Sequence, residues 1–228
     1  DSGGYCIKPP QGMLNMKNDM AGAAAVIGTL AAVSTLKLKI NVTGVIAACE
    51  NMISGDAYRA GDIIRSMSGK TIEVINTDAE GRLTLIDAIH YAINRAKVSN
   101  VIDIATLTGA AARALGNQIT TVFTNDESLL RKLHMAAEIT GEKIWQLPTH
   151  EGYMEMIKSR IADLKNSGGP LAGAITAALF IREFVENKPW LHLDIAGTSL
   201  KDKPDGINGH GATGVGVRLL TQLLREME

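Results

Sequence analysis

The chain has 228 residues, 46% of them hydrophobic, and a mean hydropathy of +0.07, which suits one folded domain spanning residues 1–228. Lys and Arg total 23 against 24 Asp and Glu, a net charge of −1, so no electrostatic footprint for nucleic acid or an anionic membrane is present. No run of about 18 uninterrupted apolar residues marks a membrane span, and the amino end, with Asp1 and no basic segment, does not read as a signal peptide.

In chain order, helical periodicity over Ala21 to Leu36 is followed by a strand-type run from Ile40 to Ala48 and another from Ile72 to Ile75. Leu83 to Ala96 reads as a helix, Val101 to Ala105 as a strand, and Leu129 to Ile139 and Ala172 to Val185 as helices. Trp190 to Ile195 reads as a strand and Val215 to Leu224 as a closing helix. This alternation predicts an α/β fold of three αβα layers, with a mostly parallel, mixed central sheet covered by helices on both faces. Val101–Ala105 and Leu191–Ala196 are nearly continuous in apolar residues, as strands buried on both faces are. Each runs into a small-residue turn, and ligands of open α/β sheets lie at such carboxyl ends. The segments 166–170 and 205–211 are Gly-rich and read as flexible loops.

Asn76-Thr77-Asp78-Ala79-Glu80-Gly81-Arg82 places two acids two residues apart between a β-branched segment and a helical one. In extended backbone, residues i, i+2 and i+4 share a side, so Asp78, Glu80 and Arg82 are expected to converge. Neighbouring carboxylates repel unless a cation or proton intervenes, and a hard divalent ion is the usual cation for oxygen donors. Read alone, the motif fits an acidic turn with a helix cap as well. Cys6 and Cys49 are too few for a disulfide framework and match no zinc spacing, which predicts a reducing, cytoplasmic setting. The five histidines, His90, His134, His150, His192 and His210, form no metal motif. His192 reads as a core residue, and His210 sits in a Gly-rich loop.

The run N-T-D-A-E-G-R-L resembles the signature of the leucyl (cytosol) aminopeptidase family of metallopeptidases. Asp1-Ser2-Gly3-Gly4, Ile7-Lys8-Pro9, Met16-Lys17-Asn18-Asp19-Met20, Cys49-Glu50-Asn51-Met52, Ala105 to Ala110 and Leu193 to Gly197 follow in that family's order, so the likeness covers essentially the whole chain. The resemblance implies two divalent ions, zinc or manganese, held by Asp1, Asp19, Asp78 and Glu80, with Asp1 and Glu80 bridging. A metal-bridged hydroxide would be the nucleophile, Lys8 the oxyanion-stabilising catalytic lysine, and Arg82 the holder of a bicarbonate acting as general base. Read without the family, Lys8 is a surface charge, Arg82 a partner for Glu80, and Asp19 an N-cap for the Ala-rich helix. The resemblance further assigns Met16, Thr106, Leu107, Gly109 and Ala196 to the pocket for the first substrate residue. Ser199 stands where some members carry a bulkier apolar residue, which predicts a more polar or more open pocket floor.

The implied activity is removal of the amino-terminal residue from peptides with a free amino end, by a homo-hexamer built from two trimers. The family also carries a metal-ligating lysine five residues before the residue matched by Asp1. The chain is therefore expected to be a catalytic domain without its amino-terminal partner domain, arising as a fragment, a proteolysed product or a chain whose beginning is not seen. The alternative expectation is an inactive assembly or binding module of the same fold.

Overall fold

The computed structural model describes residues 1–228. A single turn, α1 (Pro10–Met13), and a 3-10 turn at Met16–Asn18 lead into the long helix α2 (Ala21–Leu36). The short strands β1 (Ile63–Arg65) and β2 (Thr71–Glu73) precede α3 (Gly81–Asn94). β3 (Val101–Ala105), α4 (Gly109–Leu115), β4 (Thr120–Thr124), α5 (Glu127–Thr140) and β5 (Ile144–Gln146) follow. After β6 (Leu164–Lys165) come α6 (Gly173–Arg182), β7 (Trp190–Asp194), the paired β8 (Leu200–Lys201) and β9 (Gly211–Ala212), and α7 (Val217–Arg225).

The central sheet has the order β3-β7-β4-β5. β3 runs parallel to β7 and β4 parallel to β5, while β7 and β4 are antiparallel, so the sheet is mixed. Strand side chains alternate between faces, and both faces are covered. Val101, Phe123 and Trp190 pack with apolar residues of α3, α4 and α6. Ile104, Val122, Leu191 and Leu193 pack with α2, α5 and α7 on the other side. That is the expected three-layer αβα arrangement. A smaller sheet, β1-β2-β6, pairs β2 parallel to β6 and delivers the chain to the acidic motif.

Two local expectations are corrected. Ile40 to Ala48 forms no strand, because no strand of the chain lies alongside to complete a ladder, and most of its side chains are exposed. Arg82 does not continue an extended segment: Glu80 already has helical dihedrals and α3 starts at Gly81. Arg82 therefore sits on the first helical turn and is buried. The strands β4 and β5 lie outside the sequence-based expectations. β4 is threonine-rich and only five residues long, so it carries no apolar run, although every residue in it is buried.

α2 is held against the backbone of β3 by a glycine. A Cβ on Gly22 would stand 2.2 Å from the Ile104 carbonyl oxygen and 2.9 Å from Ala105 Cα. Asp19 lies immediately before this helix, so the depth at which α2 seats also sets the position of that carboxylate. Gly22→Ala is expected to lower stability by about 2 kcal/mol through overpacking, seen as a lower urea midpoint with an unchanged slope.

Candidate metal and substrate cleft

The amino-terminal loop is bound to the acidic motif through Thr77, which is fully buried. Its hydroxyl donates to the Gly3 carbonyl at 2.6 Å and accepts from the Cys6 amide at 2.7 Å. Its own carbonyl accepts from Asn51 Nδ2 at 3.0 Å and from the Tyr58 hydroxyl at 2.7 Å. Gly3 has φ +86°, and a Cβ there would meet the Cys6 carbonyl oxygen at 2.6 Å and Asp78 Oδ1 at 2.9 Å, so only glycine allows this close approach. Asp1 is oriented on all sides: Oδ1 accepts from the Gly3 amide and from Asn51 Nδ2, each at 2.8 Å, and Oδ2 pairs with Lys8 Nζ at 2.7 Å.

Asp1, Asp19 and Glu80 converge, with one carboxylate oxygen from each lying within 4.8 Å of the others. Asp78 joins from the edge through Lys8, whose ammonium bridges Asp1 and Asp78. Asp19 accepts from the Thr106 hydroxyl at 2.7 Å and does not cap α2; the cap position is Met20, with no side-chain bond. Burial raises the pKa of Glu80, and Asp19 and Asp78 push it further in the same direction. Burial also raises that of Asp19. Glu80 Oε2 is buried without a hydrogen-bond partner. Crowded, desolvated carboxylates with an orphaned oxygen form a donor set that suits divalent cations.

Arg82 leaves the cluster in another direction. Its Nη1 donates to the Asn166 carbonyl at 2.8 Å, its Nε is buried without a partner, and no ion pair with Glu80 forms. Burial lowers its pKa to about 10, opposed by Asp194 and Glu80, so it remains charged at neutral pH. Asn166, expected in a flexible loop, is instead fully buried and clamps the motif. It accepts from the Ile75 amide at 2.8 Å and donates to the carbonyls of Asn76 at 2.7 Å and Ala79 at 3.3 Å. Asp194 has the same function at the strand ends. It accepts from the amides of Leu107, Thr108 and Ala196 and from the Thr108 hydroxyl, the last at 2.7 Å. Asn51, Tyr58, Asn166 and Asp194 are the supports that the sequence reading missed. The only signal available for them was their place inside blocks already singled out or beside them.

Asp1, Asp19, Asp78 and Glu80, with Lys8 and Arg82, line one cleft of about 1060 Å³. The same cleft is lined by Met16, Thr106, Leu107, Gly109 and Ala196, the residues expected around the first substrate side chain. Ser199 does not reach the cleft. It is buried and accepts from Asn18 Nδ2 at 2.8 Å, so Asn18 stands in front of it and supplies the polar group. His192 is wholly buried on Asp103, and neither it nor His210 lines the cleft.

Residues 1–221 match the family model described as "Cytosol aminopeptidase family, catalytic domain". The chain belongs to the cytosol aminopeptidase family. It is 59% identical over 223 residues to the probable cytosol aminopeptidase of Clostridium perfringens, covering 98% of this chain and 45% of that protein. It is 54% identical over 228 residues to that of Alkaliphilus metalliredigens, covering 100% of this chain and 45% of that protein. Among solved structures, the bottromycin maturation enzyme BotP in complex with Mn superposes with a TM-score of 0.96 at 39% identity, covering 100% of this chain and 51% of that one. The chain thus spans about half the length of the curated family members it matches.

Asn166→Ala leaves buried amides and carbonyls of the motif unpaired and is expected to cost about 3 kcal/mol, measured by urea unfolding. The pKa of folded Glu80 is raised above its ordinary 4.5. The metal-free folded chain therefore holds a proton the unfolded chain has lost, and stability falls as pH rises from the ordinary value through the raised one. Glu80→Gln should accordingly raise the melting temperature in chelator above that window and leave it unchanged below. A divalent ion at a hundred times its Kd should stabilise the wild type by about 2.7 kcal/mol and the variant much less.

Proposed function

We propose that this chain is the catalytic domain of a dinuclear metal-dependent aminopeptidase that removes the first residue from peptides with a free amino end. The observation that carries the reading is the convergence of Asp1, Asp19 and Glu80 beside Lys8 and Arg82, in a cleft also lined by Met16, Thr106, Leu107, Gly109 and Ala196. Asp1, Asp19, Asp78 and Glu80 would hold the ions, zinc or manganese, and the Mn named with BotP supports manganese among the candidates. Two such ions supply Lewis acidity toward the scissile carbonyl and lower the pKa of the attacking water.

The chain's own residues do the rest. Lys8, only 14% exposed, presents a positive charge where negative charge would gather on the carbonyl oxygen. Asn51 keeps Asp1 turned inward by bonding it and the Thr77 carbonyl at once. Arg82, fixed by Asn166 and with Nε uncommitted, offers the planar fork that would hold a bicarbonate as general base. Met16, Thr106, Leu107, Gly109 and Ala196 would receive the first side chain.

The proposal extends to a hexamer of two trimers and a cytosolic address. Ile27 and Leu36 on α2 are each more than half exposed, apolar side chains available for burial against another surface, and both cysteines are free thiols. Sedimentation of the chain as a stable monomer at micromolar concentration would remove the hexamer from the reading.

The test is hydrolysis of aminoacyl p-nitroanilides with added manganese or zinc. Activity should vanish in chelator, and Asp78→Ala should lower kcat about a hundredfold or more; full activity in that variant sinks the assignment. Calorimetry should find two divalent sites per chain. Absence of any site would favour the inert assembly module instead.

A further inference from the structure

We propose that Arg113 makes the first-residue pocket selective for a substrate carboxylate, supplied by an aspartate or glutamate side chain at the amino end. The inference deepens the aminopeptidase reading and rests on it. Three cations line the cleft: Lys8, Arg82 and Arg113. Lys8 is spent on Asp1 and Asp78, and Arg82 donates to the Asn166 carbonyl. Arg113 takes no ion pair and no hydrogen bond, so all of its donors are free.

Its position follows from helix geometry. Long side chains on a helix lean back toward the amino end, bringing residues i and i+4 together. Arg113 therefore folds over Gly109, the first residue of α4, and its Nη1 lies 3.2 Å from where a Cβ on Gly109 would stand. Gly109 belongs to the wall assigned to the first substrate side chain, and its missing Cβ is what gives the guanidinium room. Ala112 and Ala196 line the same cleft with small side chains, leaving space there. Asn18, fixed on Ser199, is a second polar group along the cleft.

The acids facing this cleft are Asp1, Asp19, Glu50, Asp78 and Glu80. With two divalent ions held by Asp1, Asp19, Asp78 and Glu80 those acids would no longer repel an acidic side chain, and Arg113 is the cation whose donors are free to pair with it. In open solvent such a pair is worth little. Between a seated substrate and the wall it loses water, and the planar fork of Arg matches a carboxylate bidentately. A solvated arginine with no role predicts instead that its removal changes no substrate ratio.

The experiment compares glutamyl, aspartyl, leucyl, alanyl and lysyl p-nitroanilides on the manganese-loaded wild type, Arg113→Met and Arg113→Glu. These substrates carry no second-residue carboxylate, so only the side chain can engage Arg113. The glutamyl-to-leucyl ratio of kcat/KM should fall about tenfold in Arg113→Met, with leucyl turnover retained, and Arg113→Glu should turn the preference toward lysyl p-nitroanilide. Calorimetric binding of the α-hydroxamates of glutamate and leucine gives the same ratio without turnover. An unchanged ratio in both measurements overturns the inference while leaving the aminopeptidase reading intact. If Arg113→Met instead weakens only Leu-Gly against Leu-Gly-amide, the carboxylate is that of a dipeptide's carboxyl end, and the side-chain assignment is wrong. Failure of either hydroxamate to bind any form of the manganese-loaded chain removes the metal site, and this inference with it.

Discussion

Thr77 carries the constraint on which the cleft depends. Its hydroxyl and carbonyl together engage Gly3, Cys6, Asn51 and Tyr58, which come from chain segments far from it in sequence. Because Thr77 itself is fully buried, its two oxygens lie away from competing water, and losing their partners leaves polar groups stranded. The result is that an amino-terminal loop rich in glycine is held as firmly as a strand. Asp1 can then face Glu80 across a gap that neither loop would maintain alone.

The remaining rigidity comes from the strand ends. β3 and β7 run parallel with Ala105 beside Asp194, and Asp194 gathers the amides that follow both strands. Beneath it, Asp103 accepts from Trp190 Nε1 at 2.6 Å and pairs with His192. Burial would lower the pKa of His192, but Asp103 outweighs it and the net direction is upward. This polar layer lies inside an otherwise apolar face, stacked between Phe123 and Trp190. It fixes the sheet just below the turn carrying Thr106, the residue that orients Asp19.

Long elements were legible in the sequence because their signals are periodic and local. α2 was expected at its observed bounds and β3 likewise, and β7 differs from expectation by a single residue. Strand pairing is not local, which is why Ile40 to Ala48 has strand composition without a strand, and why the threonines of β4 gave no warning. The acids and Lys8 were legible through their motif blocks, and the structure brings them together. What holds them was not. Asn166 looks like part of a glycine loop until its amide is seen bonding Ile75, Asn76 and Ala79, residues about ninety positions away. Arg82 was expected beside Glu80 on a strand, and the earlier start of α3 turns it inward instead.

Two groups of residues line the cleft on different physical terms. Around the acids the supporting groups are committed, Lys8 to two carboxylates, Asn51 to an acid and a carbonyl, Asp19 to Thr106, while Glu80 Oε2 and Arg82 Nε are left unpaired. Such a network tolerates little change, because each partner removed leaves another buried and unpaired. Met16, Leu107, Gly109 and Ala196 line the cleft with apolar or small groups, whose substitution disturbs packing more than hydrogen bonding, and Thr106 links them to Asp19. Asn18 and Arg113 are polar exceptions there, and neither is enclosed by the network that orders the acids. A fold arranged this way can keep one chemistry fixed on the first group while the second is free to vary in what it admits.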